Sequence, residues 1–151
     1  MPMIISLKCQ YALRAVFELT RVQGDGPIKI SQIAAAQAIP FPFLQNILNQ
    51  LKQAGIVDSV RGRDGGYRLA RDRSNLTVGE VISIVQGPLT FVDCFSPPIA
   101  AQCPFAKDCA FWPLWEEARG ALEDIFQATT FNDLVKKDAE QKVPKSFTYA
   151  I

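Results

Sequence analysis

Three of the four cysteines in this 151-residue chain fall in one stretch, FVDCFSPPIAAQCPFAKDCAFW, as Cys94, Cys103 and Cys109. Their spacing is C-x8-C-x5-C, and the chain has no histidine at all. Cysteines grouped in this way point to a bound metal, a disulfide or a redox sensor. Zinc is disfavoured, because its structural sites are built from C-x2-C pairs and histidines, and neither is present. A thiol switch in which Cys94 pairs with Cys103 under oxidation stays open. So does plain packing, which is usual for isolated cysteines, although it suits three in one loop stiffened by Pro97, Pro98 and Pro104 less well.

A second constellation carries different chemistry. Gln45, Asn46, Asn49 and Gln50 lie opposite a Phe43, Leu44, Ile47, Leu48, Leu51 stripe in one helical segment. A side-chain amide donates and accepts at once, so it can pair bidentately with an adenine edge. Five arginines follow between residues 61 and 73, namely Arg61, Arg63, Arg68, Arg71 and Arg73, against Asp64 and Asp72. Arginines on a narrow tip can bridge phosphates or enter a minor groove, and Gly62, Gly65 and Gly66 keep that tip slim.

The elements that must present these residues are readable from period and punctuation. Leu7, Tyr11, Ala12, Ala15, Val16 and Leu19 give a helix from Ser6 to about Arg21, ended before Gly24, Gly26 and Pro27. Ser31 is a candidate N-cap for a short helix that stops before Pro40, and Pro42 sits in the first turn of the next. Gly55 caps that helix. IVDSV and YRLA flank a glycine-rich turn and read as a hairpin. Thr77 and Glu80 form a capping box for a helix carrying Val78, Val81, Ile82 and Val85, closed by Gly87-Pro88. Leu114, Trp115, Ala118, Leu122 and Ile125 mark a longer helix to about Ala128, and Phe131-Asn-Asp-Leu a short one before a loosely held end.

Helix, short helix, proline-led helix and hairpin is the order of a winged helix-turn-helix, so the expected fold is mainly α with a small β wing. Three segments are expected: residues 1–75 for DNA binding, 76–130 for the cysteine loop and long helix, and 131–151 as a C-terminal tail. Charge agrees with this polarity. Residues 1–75 hold ten Lys/Arg against five Asp/Glu, while residues 76–151 hold six against ten. A basic half suits a polyanion, so double-stranded DNA is the favoured partner before any family is named. No apolar run approaches the roughly 20 residues of a membrane span, and MPMIISLKCQ lacks the pattern of a signal peptide. The expected location is the cytoplasm, where thiols stay reduced. With no histidine, phosphate-binding loop or recognisable carboxylate pair, catalysis has no support.

QYALRAVFEL, IAAAQAIPFPFLQNILNQLKQAGIV, SVRGRDGGYRLAR and LTVGEVISIVQGPL resemble the IscR/NsrR/CymR-type family of bacterial transcription regulators over residues 3–135. The VRGxxGGYxLA wing and the T-x-G-x-V-I helix after it are much more specific than a generic helix-turn-helix. The resemblance implies a homodimer joined by a long C-terminal helix, here Pro113 to about Ala128, with Trp115, Leu122 and Ile125 at the interface. It implies an imperfect palindromic operator. It places Gln45 where members read a base, and Arg61 where they enter the minor groove. IscR has a glutamate at the position of Gln45, so operator preference need not be shared. Asn46, Asn49, Arg63 and Arg68 complete the expected DNA-contacting set.

Members of this family with three cysteines in the loop after GPL bind an iron–sulfur cluster, whose state controls DNA affinity. The resemblance therefore implies a cluster on Cys94, Cys103 and Cys109, with [2Fe–2S] favoured over [4Fe–4S], although the first gap exceeds the usual family spacing. Soft thiolates suit such clusters. A fourth ligand comes in relatives from a histidine after the third cysteine or from the first helix of the partner subunit. Trp112 closes the first route, so Cys9, or else Gln10, of the partner is the expected donor. The implied function is a repressor-type regulator sensing cluster status, redox or nitric oxide. A metal-free thiol-redox or small-molecule-responsive regulator is the alternative.

Overall fold

A computed structural model describes residues 5–106 and 108–142. Helix α1 spans Leu7–Arg21, α2 Ile30–Gln37 and α3 Phe41–Gln53. Strands β1, Val57–Val60, and β2, Gly66–Leu69, form the antiparallel hairpin, with Val57 opposite Leu69 and Val60 opposite Gly66. Helix α4, Val78–Val85, leads into the cysteine loop, which holds a 3₁₀ turn at Asp93–Phe95 and the one-turn helix α5, Pro97–Ala100. Helix α6, Trp112–Ala128, and α7, Phe131–Lys142, complete the chain. Residues 143–151, where the loosely held end was expected, lie outside the described residues.

Local chemistry accounts for the boundaries. Ser6 caps α1, its hydroxyl accepting from the Cys9 N–H at 3.2 Å, a contact of the kind that contributes about 1 kcal/mol. Helix α3 closes in a Schellman motif: Gly55 takes φ +76°, and the Ile56 N–H bonds the Leu51 carbonyl at 3.0 Å. Ser31 is not the cap of α2. Ile28 pairs with Tyr67 of the hairpin through two backbone hydrogen bonds, so the chain leaves that bridge and turns helical at Ile30. The Lys29 N–H is satisfied by Gln32 Oε1 at 2.9 Å. The capping box of α4 is half formed: Thr77 accepts from the Glu80 N–H, but the Glu80 carboxylate pairs with Arg71 instead of folding back.

One apolar core ties these elements together. It takes Ala12, Ala15, Val16 and Leu19 from α1, Ile33 from α2, and Leu44, Ile47, Leu48 and Leu51 from α3. Val57 and Leu69 of the hairpin, Val81 and Ile82 of α4, and Phe131 of α7 also belong to it. Phe43 does not join the α3 stripe; it is 52% exposed and leans on Tyr11. The short helix expected at Phe131 is twelve residues long and packs on α1, because Phe131 is fully buried there. Glu18 is also buried, held by Arg21 and by Gln37 Nε2 at 2.9 Å. Burial opposes its ionisation, but those hydrogen bonds and the Arg21 charge outweigh that cost and hold its carboxyl below the ordinary range.

Candidate nucleic-acid interface and cysteine cavity

The proline-led start of α3 and its four fully buried leucine and isoleucine side chains set which way the helix faces. Gln45, Asn46 and Asn49 consequently stand exposed on its outer face. Gln50 does not belong with them. It is half-buried, and its Nε2 donates to the Ile84 carbonyl of α4 at 3.0 Å. A residue committed to that contact holds the helix in place and is not offered to a base.

The wing arginines divide in the same way. Arg61, Arg63 and Arg68 are exposed on the turn and on β2. Arg71 pairs with Glu80, and Arg73 Nη1 lies 3.5 Å from the Thr20 carbonyl. Two of the five charges therefore brace the hairpin against α4 and α1. The turn glycines are required by close approach: a Cβ on Gly65 would lie 2.1 Å from the Val60 carbonyl oxygen. A Cβ on Gly66 would lie 2.2 Å from that of Ile28.

The cysteine loop folds its three thiols around one cavity of about 120 Å³, lined by Cys94, Ala100, Cys103, Ala106, Cys109 and Trp112. All three are half-buried and none is in a disulfide. Apart from the thiols the lining side chains are apolar. Among the described residues no three Cys, His, Asp or Glu side chains converge tightly enough to hold a metal ion. A mononuclear thiolate site needs each sulfur about 2.3 Å from one point. The thiols line one chamber, and soft thiolates are donors that thiophilic metal ions and iron–sulfur clusters both accept.

Aromatic packing fastens this loop to α6. Phe91 meets Phe95 and Trp115 edge-on at 5.5 and 6.0 Å, Phe95 meets Trp112 at 5.4 Å, and Arg119 lies 4.4 Å over the Phe95 ring. Trp115 and Leu122 thus face the protein's own loop and core, while Ile125 points outward at 60% exposure. Leu114, read from the sequence as part of the apolar stripe but not as an outward residue, is also exposed. Positions 114, 118, 121, 125 and 128 are Leu, Ala, Ala, Ile and Ala, a seam spacing that could have revealed it.

Cys9 and Gln10, consecutive on α1, differ in burial: Cys9 turns into the core and Gln10 to the surface. Cys9 has no exposed surface, and burial pushes its thiol up to about 11. Gln10 is exposed, its Nε2 donating to the Ile5 carbonyl at 3.1 Å. The choice of Cys9 as the donor from this helix therefore runs against its position. In the single chain Cys9 lies in the core, so reaching a loop of a second subunit would require the start of α1 to move.

The family model described as "Iron-dependent Transcriptional regulator", Rrf2, matches residues 5–137. This chain belongs to the Rrf2 family. The transcriptional regulator CymR of Bacillus subtilis is 30% identical over 93% of this chain and 96% of its own length. The structure of T. potens IscR superposes with a TM-score of 0.75 at 30% identity, covering 96% of this chain and 95% of that one. Staphylococcus aureus CymR, solved in an oxidized form, gives 0.69 at 28% identity, covering 89% and 97%. The Rrf2 chain described here is thus a DNA-binding transcriptional regulator with a winged helix-turn-helix fold, and not an enzyme. Among its described residues no helix is long and apolar enough to cross a membrane.

Proposed function

We propose that this regulator acts as a homodimer on an imperfect palindromic operator and that its DNA affinity follows the state of an iron–sulfur cluster on Cys94, Cys103 and Cys109. The observation that carries this reading is the cavity common to the three thiols. Bound there, the cluster would supply chemistry that responds to oxidation, nitric oxide or iron supply. The chain's own part is to present three soft donors beside the apolar side chains of Ala100, Ala106 and Trp112. It also fastens the loop to α6 through the Phe91, Phe95 and Trp115 rings. Gln10 of a second subunit, or a small molecule, is left for the remaining position.

On the DNA side, Gln45, Asn46 and Asn49 read base edges, Arg61 enters the minor groove, and Arg63 and Arg68 contact phosphates. The second subunit packs on the outward stripe of α6, in which Leu114 is 52% and Ile125 60% exposed. Purified without oxygen, the protein is expected to be coloured, with iron and sulfide in equal amounts. Replacing any one of the three loop cysteines by serine should remove most of both. A colourless protein that takes up no iron on reconstitution would sink the cluster.

One observation favours a second reading. Cys94 and Cys103 are free thiols lining the same cavity, and a related CymR has been crystallised in an oxidized form. A metal-free switch would then operate through oxidation of these cysteines. A peroxide-dependent change in DNA affinity in iron-free protein, lost in Cys94→Ser, separates it from the first.

A further inference from the structure

We infer that Phe41, at the first position of α3, reads thymine methyl groups in the major groove. This rests on the docking of α3 proposed above and adds to it a base-discriminating residue outside the amide set.

Phe41 is 48% exposed, although it is among the largest apolar side chains of the helix. The core has no need of it. Ile39 just before α3 and Leu44 in its first turn are both buried, closing the helix entry from the inside as a hydrophobic staple does. The other exposed ring, Phe43, packs beside Tyr11 with centroids 6.0 Å apart. No ring contact holds Phe41 among the described residues. Residues four apart on a helix share a face, so Phe41 begins the row that Gln45 and Asn49 continue, and all three are exposed.

The position is suited to contact. The N-terminal residues of a recognition helix are those that meet base edges. Pro40 and Pro42 flank Phe41, and each fixes its own φ, so the ring is presented from a stiff backbone and little freedom is lost on docking. The chemistry is complementary to that of its neighbours. Gln and Asn recognise the adenine edge, but an amide gains nothing from the apolar 5-methyl of thymine, which projects into the major groove and is suited to a phenyl ring. An amide and a phenyl in one row would read both members of adenine–thymine pairs.

The test starts from sites selected by the full-length protein out of a random duplex pool. Each thymine of a half-site is replaced in turn by deoxyuridine, which removes the methyl and keeps the pairing. The parent protein should lose about fourfold in affinity at one or two positions, the value of one buried methyl. Phe41→Ala should bind the thymine duplex as weakly as the parent binds the deoxyuridine duplex, and lose nothing more on replacement. Gln45→Ala should keep the methyl penalty. If the parent ignores deoxyuridine everywhere while Gln45→Ala still alters base preference, the docking stands and the role of Phe41 falls. A penalty retained in Phe41→Ala also overturns it, by moving methyl reading elsewhere. Absence of salt-dependent binding to any duplex would remove the docking of α3 itself, and this inference with it.

Discussion

The side-chain amide of Gln50, on the DNA-facing helix α3, donates to the backbone carbonyl of Ile84 in the last turn of α4, 3.0 Å away. Two residues further on, Gln86 Oε1 accepts from the Ser6 N–H at 2.9 Å, at the start of α1. The end of α4 is therefore tied to α3 and to the first residues of α1 just before the chain enters the cysteine loop. A displacement of that loop would be felt by both helices, which is the kind of discrete linkage that coupling between sites requires. Gln50→Ala is expected to lower stability by about 1 kcal/mol, a fall of roughly 2–4 °C in Tm. It should also shrink the ratio of DNA affinities between iron-loaded and iron-free protein. Thermal unfolding and fluorescence anisotropy on both forms check this.

Cys9 should behave unlike the other three thiols. Native protein is expected to alkylate at Cys94, Cys103 and Cys109, which are half-buried, and to spare Cys9, which is fully buried. Its folded pKa, about 11, lies above the ordinary 9.0. Its contribution is thus complete below pH 9 and declines as pH rises towards 11, by up to about 3 kcal/mol. Cys9→Ala should flatten the alkaline arm of the stability profile and leave iron content unchanged. Loss of iron in this variant would restore Cys9 as a ligand.

Glu18 governs the acid side. Its folded pKa is lowered by Arg21 and Gln37 against the cost of burial. The stability it contributes is present above its unfolded value and is lost as pH falls through the folded one. Glu18→Gln should be less stable than the parent at neutral pH, with the difference narrowing in acid. Chemical denaturation at several pH values measures it.

Ala38, between α2 and α3, takes φ 49°, the only positive φ of a non-glycine residue among those described. Left-handed backbone costs an alanine about 1 kcal/mol that glycine does not pay. Ala38→Gly should therefore raise Tm by at most about 2–4 °C, the gain being reduced by glycine's freer unfolded chain. A lower Tm would show that the turn is set by other contacts.

Gly66→Ala should do the opposite. The added Cβ meets the Ile28 carbonyl, backbone that has nowhere to yield without opening the Ile28–Tyr67 bridge. We expect loss of operator affinity exceeding that of Arg61→Ala, because the whole wing shifts, together with a lower Tm. Arg61→Ala should weaken binding with little effect on Tm, and it should reduce the salt dependence by about one ion.

Much of the helix-turn-helix was legible because its signals are local. Leu44, Ile47, Leu48 and Leu51 declare a face by their spacing, and Gly55 declares an end by its backbone freedom. Several departures concern side chains whose partner lies in another element. Gln50 looked like its neighbours Asn46 and Asn49 until Ile84, 34 residues away, accepted its amide. Glu80 fits a capping box until Arg71 competes for its carboxylate. Trp115 and Leu122, placed at an interface by resemblance, also touch the Phe91 ring and the core of their own chain while staying partly exposed.

The cysteine loop divides along the same line. Composition alone restricted its chemistry to thiols, since the chain has four cysteines and no histidine. Residue type and short-range period determined that much, together with the helix order and the basic wing, because both act within a turn or two. Only the tertiary structure could bring Cys94, Cys103 and Cys109 around one cavity, turn Cys9 into the core and leave Phe41 outside it. Those outcomes depend on which surfaces distant segments bury against one another, and no spacing along the chain encodes that by itself.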